Sequence, residues 1–184
     1  SRRMGPRNKL LEDVDGRPMV ARVVDAVLGS SARPVIVVTG HEGERVRAAL
    51  ADRDVVVAEN ADYAEGISTS LRCGLRALPP GIDGALICLG DMPRVAPQQI
   101  DRLIAAFNPV EGRAICVPTF EGKRGNPVLF ARRFFEEMES VSGDVGARHL
   151  IGEAPDLVCE VEMGDRGVLL DIDTPAALAG LAGG

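Results

Sequence analysis

The sequence is poor in the residues that build zinc sites, disulfide frameworks and aromatic surfaces. It has 184 residues, with no Trp, one Tyr and five Phe, and only two His and four Cys. The cysteines form no C-x-x-C pair, which argues against both a zinc site and a disulfide framework. Cys88 and Cys116 lie within apolar runs, so we expect them to act as small buried hydrophobic residues. Neither His41 nor His149 has a partner at metal-ligand spacing, and we expect neither to bind a metal.

Long apolar runs and an excess of positive charge are also missing. No apolar run approaches the roughly 20 residues needed to span a bilayer, and the first residues lack the apolar core of a signal peptide. The 27 acidic residues outnumber the 21 basic ones, giving a net charge of -6, whereas nucleic-acid-binding modules normally carry a basic face. We therefore expect a cytoplasmic protein that binds neither nucleic acid nor membranes. A local basic cluster can still hold a small anion.

Helical and strand patterns alternate through the first two thirds of the chain. Helices are predicted for 18–29, 42–50, 68–78 and 97–107, and strands for 34–39, 54–58, 84–89 and 113–117. The strands are apolar on both faces, which is typical of a parallel sheet covered by helices. The predicted fold class is α/β with right-handed crossovers.

The pattern changes after Pro118, where two short extended pieces joined by a Gly-rich turn occupy 118–130. The remaining chain is predicted to form helices over 131–139 and 145–151, a strand over 157–162 and a last helix from Pro175. No repeat or Pro/Ser-rich linker interrupts the chain. We predict one domain over 1–184 with an extended insertion at 118–130.

The chain opens with a basic segment, Ser1-Arg-Arg-Met-Gly-Pro-Arg-Asn-Lys9. Of the 21 basic residues 19 are Arg and only two are Lys, so Lys9 stands out. A compact ammonium acts as a point charge against phosphate oxygens where a guanidinium does not fit. We interpret Lys9 as a candidate phosphate contact, with a solvated basic terminus as the alternative.

No strand pattern precedes this basic segment. A doubly wound sheet normally binds phosphate in the loop after its first strand. We therefore expect the first strand and the beginning of the nucleotide loop to lie upstream of Ser1 in the natural protein.

Acidic residues follow two apolar runs. Asp91 comes after the predicted strand 84–89, at the sheet edge where open α/β sheets bind ligands, and could bind Mg²⁺ opposite phosphates there. Asp171 and Asp173 follow a second run and point the same way if the segment is extended. We predict a Mg²⁺ site made by Asp91 with one or both of these aspartates. Capping of the last helix by Asp173 or Thr174 is the alternative, and it is compatible with metal binding.

Two glycine-rich turns are weaker candidates for ligand contacts. Gly66, Ser68 and Ser70 lie where a loop becomes a helix, so that backbone N–H groups and hydroxyls can approach a ligand closely. An ordinary helix start fits them equally well. The segment 143–148 is likewise compatible with an anion-binding turn or a capped helix.

Taken in order, these segments resemble the MobA-like NTP transferases, the nucleotidyltransferases related to molybdenum-cofactor enzymes. The second half of that family's opening loop is matched by Ser1, Arg3, Met4, Gly5 and Lys9. The resemblance continues through Asp15-Gly-Arg-Pro18, Thr39-Gly-His41, Gly66 with 70–75, Gly90-Asp-Met-Pro93, 125–130, 143–148 and Asp171-Ile-Asp-Thr-Pro175. Each motif is weak alone, but the ordered set is specific. Segments 125–130 and 143–148 are most similar to cytidylyltransferases that attach CMP to molybdopterin, which usually have His where this chain has Asn126.

The resemblance implies a Rossmann-like, doubly wound, three-layer α/β/α domain of the nucleotide-diphospho-sugar transferase type, with a mostly parallel sheet. It implies Mg²⁺-dependent transfer of CMP from CTP to molybdopterin with release of pyrophosphate. The implied roles are triphosphate stabilisation by Arg3 and Lys9, metal binding by Asp91 with Asp171 or Asp173, nucleotide contacts by Ser1, Gly5, Gly66, Ser68 and Ser70, and acceptor contacts by Arg124, Asn126 and Arg148. The resemblance also implies a molybdoenzyme or its chaperone as a protein partner.

Two other interpretations stay open. One keeps the reaction class but uses GTP, or takes a sugar phosphate or another small phosphorylated metabolite as acceptor. The other is a non-catalytic nucleotide-binding module of a longer fusion protein.

Overall fold

The computed structural model describes residues 8–144 and 146–172. The helices are α1 (Met19–Leu28), α2 (Gly43–Ala49), α3 (Ile67–Arg76), α4 (Pro97–Ala106), α5 (Phe135–Ser140) and α6 (His149–Glu153). The strands are β1 (Asp13–Val14), β2 (Arg17–Pro18), β3 (Ile36–Thr39), β4 (Val56–Glu59), β5 (Gly84–Ile87), β6 (Ile115–Phe120), β7 (Lys123–Arg124), β8 (Val128–Ala131) and β9 (Val158–Glu162). The alternation predicted from the sequence is confirmed, whereas the predicted helix from Pro175 lies outside the described residues.

Strands β6 and β8 bury side chains on both faces of the main sheet. Ile115 and Val117 pack with side chains from α3, α5 and α6, whereas Cys116 between them packs with Leu103 of α4. Because successive strand residues point to opposite faces, α4 covers one face and the other three helices cover the opposite one. The structure therefore confirms the three-layer α/β/α architecture.

The strands of the main sheet mostly run in one direction. Strand β9 pairs parallel with β6, and β8 pairs antiparallel with both β5 and β6, between which it lies. Strands β5, β6 and β9 are therefore parallel to one another. Both β7 and β8 come largely from the segment predicted as an extended insertion, so this insertion contributes a strand to the centre of the sheet.

Strands β3 and β4 form a separate parallel pair. Across the part of the chain that the structure describes, β3 and β5 each pair with a strand on one side only. The prediction that β4 is buried on both faces is wrong, because among the described residues β4 borders only β3 and Val56 is 51% exposed. An apolar composition alone did not distinguish this edge strand from a central one.

Helix α1 is held against the end of α2 and the turn that follows it by apolar packing and by an ion pair. Val20 and Val24 pack with Leu50 in a single cluster. The guanidinium of Arg53 donates to both carboxylate oxygens of Asp25, at 2.6 and 3.0 Å. These hydrogen bonds lower the pKa of Asp25, and the nearby charge of Arg53 acts in the same direction.

All four cysteines are free. Cys116 is fully buried, as expected, and its burial raises the pKa of its thiol to about 12; Cys88 is only partly buried. None of the helices in the described ranges has the length and apolar character needed to cross a membrane.

Candidate active site

Asp91 lies just beyond the end of β5, beside the turn that carries Lys9. Residues Lys9–Leu11 form one turn of 3₁₀ helix, which begins where the side chain of Asn8 accepts a hydrogen bond from the backbone N–H of Leu10. A Cβ atom at Gly90 would come within 3.2 Å of Leu10 Cδ2. The glycine before Asp91 therefore lets this turn pack closely against the end of the strand.

Lys9 and Asp91 form a largely buried ion pair. Lys9 Nζ donates to Asp91 Oδ2 at 2.5 Å, and the two side chains are 12% and 18% exposed. The other carboxylate oxygen, Asp91 Oδ1, is buried and has no hydrogen-bond partner. Since buried polar atoms are normally satisfied, this oxygen is suited to a further cation or donor.

The segment that contains Asp171 lies beside Asp91. The backbone N–H of Ile172 donates to the carbonyl oxygen of Asp91 at 2.9 Å. Ile172 is 3% exposed and packs with Val14 and Met19, whereas Asp171 is exposed. The structure therefore brings two of the three predicted metal-binding aspartates to one region.

The conformation before Asp171 differs from the predicted one. Residues Arg166–Leu169 form a 3₁₀ helix, so the apolar run before Asp171 is not extended over these residues. Asp173 lies outside the described residues, as do Ser1, Arg3 and Gly5, and the predicted roles of these four stay predictions.

The two glycine-rich turns meet at the start of α3. The backbone N–H of Ser68 donates to the carbonyl of Gly143 at 3.1 Å. Gly66 has a φ of +117°, and a Cβ atom there would lie 2.5 Å from the Gly143 carbonyl. Ser68 is fully buried and its Oγ has no partner. The start of α3 thus presents a hydroxyl held in a tightly packed backbone turn.

Asn60, which the sequence analysis missed, organises this helix start. It follows β4 and is 5% exposed. Its Nδ2 donates to Thr69 Oγ1 at 2.8 Å and to Ser70 Oγ at 3.0 Å, and its Oδ1 accepts from the N–H of Asp62 at 3.0 Å. Ser70 is therefore partly committed to a structural contact. A polar residue immediately after an apolar strand was the available signal.

Two of the predicted acceptor-side residues line one cleft of about 370 Å³. Arg124 and Arg148 contribute its charged lining, together with His149 and apolar side chains. Arg124 is half-exposed, and its Nε donates to Glu160 at 2.6 Å. The third predicted residue, Asn126, is fixed through its backbone N–H, which donates to the Val168 carbonyl at 2.9 Å.

The cleft is joined to the segment that leads to Asp171. A Cβ atom at Gly125 would approach the Val168 carbonyl oxygen within 2.2 Å, so glycine allows close packing here. The residues that directly follow β7 are therefore in backbone contact with the 3₁₀ helix before Asp171.

Comparison with known proteins places this arrangement in a family. The chain is similar to Rv0371c from Mycobacterium tuberculosis H37Rv, with 31% identity and a TM-score of 0.79 over 98% of this chain and 92% of that one. A structure of Rv0371C in complex with manganese has 29% identity and a TM-score of 0.77, covering 97% and 92%. A nucleotidyl transferase from Methanothermobacter thermautotroptrophicus has 25% identity and a TM-score of 0.82, covering 96% and 84%.

Similarity to curated sequences is shorter. The bifunctional protein GlmU of Kineococcus radiotolerans is 34% identical over 113 residues, which are 60% of this chain and 23% of that protein. The chain spans about a quarter of the length of such relatives. The model of the MobA-like NTP transferase domain matches residues 1–158. The chain therefore belongs to the MobA-like NTP transferase family of nucleotidyltransferases.

Proposed function

We propose that this domain transfers a nucleoside monophosphate from a nucleoside triphosphate to a phosphate-bearing small acceptor and releases pyrophosphate. The observation that carries the proposal is the contact of Lys9 with Asp91, next to the backbone hydrogen bond between Ile172 and Asp91. The ammonium of Lys9 and the carboxylate of Asp91 meet beyond the end of β5, and the backbone next to Asp171 is hydrogen-bonded to Asp91. This is the combination that binding of a metal-complexed triphosphate requires.

The carboxylates fit a divalent cation. Asp91 offers a buried oxygen without a hydrogen-bond partner. Asp171 directly precedes Ile172, whose backbone N–H donates to the carbonyl oxygen of Asp91. Carboxylate oxygens are ligands that Mg²⁺ and Mn²⁺ accept. We assign the site to Asp91 with Asp171 or Asp173, where the bound ion would neutralise charge on the phosphates. The manganese complex of a similar protein is consistent with a divalent ion in this fold.

The chain's own cations act on the phosphates. We assign Lys9 and Arg3 to the triphosphate and to the charge that develops on the leaving pyrophosphate. A phosphate oxygen of the acceptor forms a bond to the α-phosphorus, and the bond from that phosphorus to the pyrophosphate oxygen breaks. The attacking phosphate is already anionic at neutral pH, so the reaction needs no general base.

The remaining predicted residues divide between the two substrates. Gly66, Ser68 and Ser70 are assigned to the nucleotide because the start of α3 combines a close backbone turn with a buried, unpartnered hydroxyl. Arg124 and Arg148 are assigned to the acceptor because they line one cleft, with Asn126 next to Gly125 in its wall. Guanidinium groups bind phosphate well.

For the specific substrates we propose CTP and molybdopterin, on the strength of the segments 125–130 and 143–148. GTP, and a sugar phosphate as acceptor, are the alternatives within the same reaction class. The similarity to GlmU proteins leaves the acceptor open, since their names state no substrate.

The test is a panel of the four ribonucleoside triphosphates with Mg²⁺, assayed by pyrophosphate release with molybdopterin, with hexose 1-phosphates and with no acceptor. We expect release only with an acceptor, fastest with CTP and molybdopterin. Asp91→Asn should abolish release while retaining the circular dichroism spectrum of the folded protein. Binding of nucleotides without pyrophosphate release for any acceptor would instead favour the non-catalytic module, and wild-type turnover in Asp91→Asn would refute the metal assignment.

A further inference from the structure

Three metal-ligating side chains converge on α5 and α6, outside the Asp91 site. They are Glu137 on α5 and His149 and Glu153 on α6. A ring nitrogen of His149 and one carboxylate oxygen from each glutamate all lie within 4.8 Å of one another. His149 and Glu153 are four residues apart, so successive helical turns place them on one face. The third group comes from the neighbouring helix.

A hydrogen bond at one ring nitrogen of His149 leaves the other nitrogen available as a metal ligand. Nδ1 lies 2.9 Å from the carbonyl oxygen of Gly146. A carbonyl can only accept, so Nδ1 carries the proton and donates, and the lone pair of the neutral ring lies on Nε2. Metal-binding histidines commonly donate their other ring nitrogen to a carbonyl or carboxylate in this way.

The two glutamates have no cationic partner of their own within residues 8–144 and 146–172. Glu139, which lies on α5 like Glu137, by contrast accepts a hydrogen bond from Arg76 at 3.0 Å. Two carboxylates at this separation repel each other, although their exposure to water reduces the repulsion. A divalent cation between them would replace this repulsion with attraction.

We propose that Glu137, His149 and Glu153 form a second metal site, which binds a first-row transition ion such as Zn²⁺. One imidazole nitrogen and two carboxylate oxygens suit Zn²⁺, whereas Mg²⁺ prefers oxygen ligands alone in octahedral geometry. Three protein ligands leave one tetrahedral position for water or an anionic ligand. The proposal does not depend on nucleotidyl transfer, because none of its ligands belongs to the Asp91 site.

The bound ion would join α5 to α6 and stabilise the segment between them. That segment contains Gly143, whose carbonyl accepts from Ser68 at the start of α3. His149 also lines the cleft of Arg124 and Arg148. The metal would therefore hold one wall of this cleft in place and add positive charge to it.

The test measures Zn²⁺ binding by isothermal titration calorimetry and the visible spectrum after Co²⁺ is added in place of Zn²⁺. The ligand variants are His149→Gln and Glu153→Gln. Glu136→Gln is the matched control, because Glu136 is also an exposed glutamate of α5 but lies outside the cluster. Asp91→Asn separates this site from the one assigned to the triphosphate-bound cation. Circular dichroism confirms that each variant is folded.

We expect one Zn²⁺ site in the wild type, in Glu136→Gln and in Asp91→Asn. In each ligand variant the affinity should fall by at least about 10-fold, and the Zn²⁺-dependent rise in Tm and the visible Co²⁺ bands should disappear. Unchanged Zn²⁺ affinity in the folded Glu153→Gln and His149→Gln variants would overturn the proposal. So would the absence of saturable Zn²⁺ binding in the wild type, or loss of all binding in Asp91→Asn.

Discussion

Replacement of Lys9 by methionine should destabilise the folded protein, because it leaves the carboxylate of Asp91 without its cation. At 2.5 Å and an effective dielectric constant of about 20, the attraction between two unit charges is about 7 kcal/mol before desolvation is subtracted. Removal of one partner from a buried pair typically costs about 3 to 5 kcal/mol. The two side chains are 12% and 18% exposed, so we expect a loss near the lower end, about 3 kcal/mol.

A double-mutant cycle isolates this contact. Asp91→Asn removes the carboxylate that Lys9 contacts at 2.5 Å and should also be destabilising. The double variant Lys9→Met/Asp91→Asn contains neither charge, so its loss should be smaller than the sum of the two by at least about 2 kcal/mol. Urea unfolding near pH 7 in the presence of a chelator measures all four proteins. Additivity to within about 0.5 kcal/mol would refute the ion pair.

The same variants test whether Asp91 binds the divalent ion. A cation at Asp91 lies beside the ammonium of Lys9, so the two repel each other until an anionic triphosphate is bound. Lys9→Met should therefore bind Mn²⁺ more tightly than the wild type when nucleotide is absent. In a His149→Gln background, which removes the second metal site proposed above, Mn²⁺ at about 100 times its Kd for the Asp91 site should restore about 2.7 kcal/mol of stability to Lys9→Met. In the same background it should restore none to Asp91→Asn. Weaker Mn²⁺ binding in Lys9→Met would contradict this competition.

Two further predictions concern the scaffold of the site. Gly66→Ala places a Cβ 2.5 Å from a backbone carbonyl at a φ of +117° and should cost at least about 2 kcal/mol in urea unfolding, whereas Gly152→Ala, which has open space, should be neutral or stabilising. Because the pKa of Asp25 is lowered by Arg53, the pair stabilises the fold above the unfolded pKa of Asp, about 3.9, and this stability is lost as the pH falls through the folded pKa. Arg53→Leu should therefore be less stable than the wild type near neutral pH, and the difference in unfolding free energy should shrink below about pH 4. Replacement of the more exposed Arg17 by leucine should lower the stability less. A difference in unfolding free energy that does not change with pH would exclude the charge interaction.

The fold was largely predictable because its helices and strands have strong periodic patterns. Pro18 and Gly29 limit α1 as helix punctuation predicts. The pairing of the strands was less predictable, since an extended piece in 118–130 carries no local signal that it inserts between β5 and β6. That position depends on contacts between residues far apart in sequence.

The candidate site likewise has one part that local sequence patterns predict and another that they do not. The position of Asp91 beyond the end of a strand was predictable because a carboxylate that follows an apolar run is a local pattern. The contacts of Asn60 at the start of α3 were not, because they depend on how the loop after β4 folds back onto the helix. The cluster of Glu137 with His149 and Glu153 departs from the expectation that His149 has no ligand partner. The sequence argument overlooked the i, i+4 spacing of His149 and Glu153, and the contribution from α5 depends on how the two helices pack.

The position of Asp171 near Asp91 has a physical basis different from the one that the sequence argument assumed. The sequence argument relied on an extended segment in which Asp171 and Asp173 share one side. In the structure the residues before Asp171 form a 3₁₀ helix, and Asp171 is positioned instead by its neighbour Ile172. That side chain is buried against Val14 and Met19, and its backbone N–H bonds to the carbonyl of Asp91. Apolar packing thus holds the segment in place, and the exposed carboxylate of Asp171 is available to bind a ligand.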